Sequence, residues 1–171
     1  MEFVTYGGEK PQGCPEAIWD DLCRVGLPRV GLNIFTPSPG PAPGSAEVDG
    51  IVLGCSRENV ELYVEFVSGN VCLRWPQESG PAVVNSSLGA FRESLLEMDV
   101  RYPFYPADRD LDMAWEAAEE LRRILVRIDS VATADPDGYW SSFLDDVAVG
   151  DYAADAGGDD AVTGYRGDHD R

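Results

Sequence analysis

Side chains able to do chemistry are few in this chain, and their spacing argues against a reaction centre. The single histidine, His169, lies in a run rich in Asp and Gly, where nothing orients an imidazole, and it reads as solvated. Adjacent carboxylates occur at Asp20-Asp21, Glu119-Glu120, Asp145-Asp146 and Asp159-Asp160, the equipment of glycoside hydrolysis or cation binding. Neighbours on a helix project about 100° apart, so three of these pairs are not expected to converge. Asp108, Asp110 and Asp112 have the spacing that opens a calcium loop, but Met113 stands where that loop needs its glycine. Gly7-Gly8, Gly40 with Gly44, and Gly157-Gly158 form no phosphate-binding fingerprint. Ser86 and Ser87 sit in no Gly-x-Ser-x-Gly elbow and read as helix caps. The cysteines Cys14, Cys23, Cys55 and Cys72 contain no Cys-x-x-Cys pair and are expected as reduced thiols, Cys23 on the first helix and Cys72 on a strand. No catalytic residue, cofactor or metal is expected, and the chain reads as a non-enzyme.

The elements that would carry these residues follow from period and punctuation. Pro15 can open a helix bearing Ile18, Trp19, Leu22 and Val25, which Gly26-Leu27-Pro28 stops. Val30 to Phe35 reads as a short strand. Thr36 to Gly44, Thr-Pro-Ser-Pro-Gly-Pro-Ala-Pro-Gly, reads as a loop, since proline has no backbone donor. Ile51 to Gly54 is a buried-type strand. Glu61 to Phe66 alternates acid or Tyr with Leu, Val and Phe, the period of a half-buried strand. Gly69-Asn70 predicts a two-residue hairpin turn that sets Glu65 opposite Arg74 and Phe66 opposite Leu73. A strand at Ala82 to Val84 leads into a helix with Leu88, Phe91, Leu95 and Met98 on one stripe. A longer helix from about Asp110 aligns Leu111, Ala114, Trp115, Ala118, Leu121, Leu125 and Ile128. A short one carries Tyr139, Trp140, Phe143, Leu144 and Val147 up to Gly150. Trp115 and Trp140 are both expected in the core. Helix, strands, then three helices, without βαβ alternation, predict a single α+β domain with a mainly antiparallel sheet over residues 1–150.

The 171 residues include 13 basic and 31 acidic side chains, a formal charge of −18. Phosphate backbones would be repelled by such a surface, so direct nucleic-acid binding is excluded as an expectation, and a basic partner is favoured. Residues 151–171 hold a net −4 of that charge, which leaves −14 on the body; this acidic segment is expected to be disordered. No apolar run of membrane-spanning length exists. Met1-Glu2-Phe3-Val4 lacks a basic stretch followed by an apolar one, so the chain is expected in the cytoplasm, with no membrane partner.

Several of these short motifs, taken in order, resemble the SUKH superfamily, specifically its fourth subfamily. They are Gly26-Leu27-Pro28 after a helix, Ile51-Val52-Leu53-Gly54, Gly69-Asn70-Val71, Asn85-Ser86-Ser87-Leu88 followed by Phe91, Ile128-Asp129 and Tyr139-Trp140. The resemblance covers most of residues 14–152. It implies a bacterial immunity protein that binds and neutralises a cognate polymorphic toxin, commonly a nuclease or a nucleic-acid deaminase; a fungal cell-wall regulator shares the fold. The proline-rich stretch and the acidic segment are peculiar to this chain. A regulatory or scaffolding module of the same fold is the alternative.

The partner so implied is a toxin with a basic active-site or substrate groove, met by complementary potential. The expected contact surface is the outward face of the hairpin, Glu61, Tyr63 and Glu65, which joins an aromatic anchor to charge. Glu47 with Asp49, and Asp145 with Asp146, are further candidates. A Glu-Tyr-Glu strand face is also what an ordinary solvated or covered sheet presents.

Overall fold

In the computed structural model, residues 2–43, 49–56, 60–74, 80–108 and 110–153 are described. The chain order is β1 (Glu2–Val4), α1 (Glu16–Arg24), β2 (Leu27–Arg29), β3 (Phe35–Pro43), β4 (Gly50–Ser56), β5 (Glu61–Glu65), β6 (Val71–Arg74), β7 (Ala82–Asn85), α2 (Leu88–Arg101), α3 (Leu111–Ile128) and α4 (Tyr139–Val149). β1 and β2 form an antiparallel pair, and β3 to β7 form an antiparallel sheet in sequence order. The α+β class is as expected.

Capping explains where the helices begin. Ser87 Oγ accepts the Ala90 N–H at 3.1 Å at the start of α2, and Asp110 Oδ1 accepts the Met113 N–H at 2.8 Å at the start of α3, each satisfying a donor that has no partner inside its helix. The stripe Leu88, Phe91, Leu95 and Met98 is buried as its spacing predicts. Rings then carry the core from the sheet through the helices: Phe35 of β3 meets Phe91 of α2 at 5.2 Å, Phe91 meets Trp140 of α4 at 6.4 Å, and Trp140 meets Phe143 at 6.0 Å. Phe143 in turn contacts Tyr152 at 5.2 Å, so the packed body extends through Tyr152 and Ala153, both buried. The segment 154–171 lies outside the described residues.

Four local expectations are corrected. The stretch Val30 to Ile34 turns instead of forming a strand, and the strand falls just before it, at Leu27–Arg29, paired with the N-terminal β1. The proline-rich run forms β3, from Phe35 to Pro43, instead of a loop. It is the edge of the sheet, and its register against β4 jumps between Pro37 and Ala42, so the ladder is interrupted where the prolines cannot donate. The β5–β6 register is Glu61 to Arg74, Leu62 to Leu73, Tyr63 to Cys72 and Val64 to Val71, four residues away from the expected pairing. Gly69, at φ +75°, closes a longer turn in which the Glu65 N–H donates to Asn70 O at 2.9 Å and the Gly69 N–H donates to Glu65 O at 2.9 Å. Finally, α3 buries Ala114, Ala118, Leu121, Ile124 and Leu125, leaving Leu111 73% and Trp115 60% exposed. The buried line is set by small Ala114 and Ala118, which let α3 approach its neighbours closely, and Trp115 falls outside it.

Candidate functional site

The motif residues singled out in the sequence come together in a structural knot. Asp129, just beyond α3, accepts from Asn85 Nδ2 at 3.1 Å and from the Ser86 N–H at 2.7 Å through Oδ2, and from the Val131 N–H at 3.1 Å through Oδ1. Asn85 Oδ1 in turn accepts the Trp140 indole N–H at 2.9 Å. Asn85 and Trp140 are fully buried and Asp129 nearly so. Burial opposes the Asp129 charge, but the hydrogen bonds from Ser86, Asn85 and Val131 outweigh it and hold the carboxyl below the usual range. A carboxylate kept ionised, saturated with donors and shut from solvent does not serve as an acid or base; its work is to bind β7, α2, α3 and α4 together.

Other paired acids among the described residues are also taken up by structure or spread apart, while Asp159-Asp160 lies outside the described residues. Asp20 pairs with Arg24 at 3.3 Å, while Asp21 pairs with Arg92 of α2 at 2.6 Å. Glu119 pairs with Arg122 at 3.5 Å, and Glu120 is exposed. Among the described residues, no three His, Cys, Asp or Glu side chains gather as a metal site, and no helix is long and apolar enough to cross a membrane. All four cysteines are free thiols, Cys14 and Cys72 buried.

The expected hairpin surface is only partly present. Glu61 is exposed and faces Arg74 across the ladder, whereas Glu65 is half-buried and accepts from Ser68 Oγ at 2.5 Å. Tyr63 is 3% exposed, which corrects its place as an outward anchor. Its ring lies against Gly50, where an added Cβ would come within 3.0 Å of Cδ2, and burial beside the Cys72 thiol pushes the phenol up to about 12. The absent side chain at Gly50 is what lets the ring lie down, a cross-strand effect that alternation along one strand does not reveal. Asp49 is exposed and joins Glu65 at the same end of the sheet, since its carbonyl accepts the Phe66 N–H at 2.8 Å and Gly50 faces Glu65. Glu47 lies outside the described residues. Asp145 is exposed and Asp146 half-buried on α4.

The surface feature that sequence reasoning missed is at the start of α3. Leu111 and Trp115, spaced i and i+4, are exposed together with Met113, amid Asp108, Asp110, Asp112 and Glu116. The signal was available: Trp115 is flanked by acids at 112 and 116, and a helix with two alanines on its inner line has room for an outward tryptophan.

Compared with known proteins, residues 11–146 match the model described as SUKH-4 immunity protein. No curated protein and no solved structure matches the chain. The match spans the sheet, the Asn85–Asp129–Trp140 knot and nearly all of α4, so the chain belongs to the SUKH-4 immunity protein family.

Proposed function

We propose that this protein neutralises a cognate toxin by occluding its basic active-site or substrate groove, and that the toxin acts on nucleic acid as a nuclease or a deaminase. The observation that carries the reading is the family match over residues 11–146. The charge of −18 on 171 residues supports it, because a groove that binds phosphates is complementary to a carboxylate-rich surface. Inhibition of this kind needs no catalytic group, only a folded surface of the right potential with a few anchoring side chains.

Charge for the encounter is offered by Asp49, Glu61 and Glu65 at the sheet and by Asp145 and Asp146 on α4. Tyr63 contributes by holding the sheet rather than by touching the partner. The resemblance also implies that such proteins are encoded beside the toxins they neutralise, so the test is co-expression of the chain with the toxin domain of the adjoining gene. Cells should survive with the chain and die without it, and a folded chain that gives no rescue would remove the immunity reading.

A further inference from the structure

The helices α3 and α4 pack against each other, and hydrogen bonds tie the segments flanking α3 to α4 at two places. At one place Asp129, following α3, is joined through Asn85 to Trp140 in the first turn of α4. At the other, Tyr105, six residues before α3, donates its hydroxyl to Val147 O at 2.8 Å and accepts the Tyr152 N–H at 3.0 Å, and Tyr105 pairs with Ala153 in a parallel bridge. At the start of α3, Leu111 is 73% exposed and Trp115, one turn on, is 60% exposed.

Charge is segregated along α3. The start of α3 carries Asp108, Asp110, Asp112 and Glu116, all exposed. The arginines of α3, Arg122, Arg123 and Arg127, lie toward its opposite end. An exposed tryptophan one helical turn from an exposed leucine is costly in water unless something covers it, and a rim of carboxylates selects what that is.

We propose that the Leu111–Trp115 patch at the start of α3 is the docking surface for the toxin, with Trp115 as its anchor. The occupant is a Lys/Arg-rich protein surface that lays a guanidinium or ammonium group on the indole face while its neighbours meet the surrounding carboxylates. A second copy of this chain is disfavoured, since it would bring two acidic rims together. The segment 154–171 is disfavoured as a cover for the same reason, holding Asp155, Asp159, Asp160, Asp168 and Asp170 against Arg166 and Arg171. This inference rests on the immunity reading and gives it a location.

The experiment titrates the full chain against a catalytically inactive form of the toxin domain encoded by the adjoining gene. Trp115→Ala is expected to weaken binding by about 30-fold or more with an unchanged melting temperature. Asp112→Asn combined with Glu116→Gln should weaken it less and flatten its salt dependence. The pair Glu9→Gln and Glu93→Gln, exposed acids outside both candidate surfaces, serves as the control and should change affinity less than threefold. If the wild-type chain does not bind, the immunity reading fails and this inference with it. If wild type binds and Trp115→Ala binds equally well, the reading stands and this surface is wrong. A wild-type dimer that Trp115→Ala turns into monomer, or binding that tightens on deletion of 154–171 but is indifferent to Trp115, would likewise overturn it.

Discussion

Asn85 Oδ1 accepts the indole N–H of Trp140 at 2.9 Å inside a fully buried site, while its Nδ2 donates to Asp129. One amide thus satisfies a tryptophan on α4 and a carboxylate after α3 from the last residue of β7. Replacing it strands polar groups on both partners. Asn85→Ala is expected to cost about 2 to 4 kcal/mol, the sum of a lost buried donor and a lost buried acceptor, measured as the change in unfolding free energy in urea.

The two tryptophans of the C-terminal helices should separate cleanly. Trp140 is fully buried and Trp115 is 60% exposed. Trp140→Ala is expected to lower stability by about 3 to 5 kcal/mol, and Trp115→Ala by less than about 0.5 kcal/mol. Thermal melts of the two variants decide it; equal losses would show that α3 is rotated from the orientation described.

How far the sequence could be read follows from which interactions are local. Ser87 as a cap, the stripe Leu88–Phe91–Leu95–Met98 and the motif order that placed the family all depend on residues a few positions apart, and all hold. The β5–β6 register failed because Gly69 fits several turn lengths; only the cross-strand partner chooses among them. The shift was an even number of residues, so Leu62 and Val64 still face the core. Proline lacks a backbone donor, yet at a sheet edge only one side of the strand needs donors, and the register jump after Pro37 removes some of those. Tyr63 and Trp115 exchanged roles for a related reason: Gly50 on one neighbour and the alanines of α3 decide which ring has room inside. Neither neighbour is visible in the alternation of a single segment.

Stability should fall in acid through Asp129. Its folded carboxyl titrates below the usual range because donors from Ser86, Asn85 and Val131 hold the charged form against the opposing effect of burial. A depressed folded value adds stability above the unfolded pKa, and that contribution is lost as pH drops through the folded one. Asp129→Asn is therefore expected to be less stable than the wild type at pH 7, with the gap narrowing as the pH falls into the acid range. Denaturation midpoints of both proteins across that range supply the check; a gap independent of pH would show that the charge itself contributes nothing.

Arg92 joins three pieces of the fold. Its Nη2 contacts Asp21 Oδ2 at 2.6 Å, and its Nε donates to Gly26 O at 2.9 Å. A lysine cannot make both bonds, since it lacks the planar fork. Arg92→Lys is expected to cost about 1 to 2 kcal/mol, read by urea unfolding. A neutral result would mean that α1 is held to α2 by apolar contacts alone.

Neutralisation is proposed to be stoichiometric and to run through an acidic surface. It is tested most directly by assaying the nucleic-acid-degrading or nucleic-acid-deaminating activity of the toxin encoded by the adjoining gene against increasing amounts of the full chain, at low and at moderate salt. Complete inhibition is expected at one chain per toxin, with weaker binding as salt rises. Undiminished toxin activity at an excess of folded chain would contradict it.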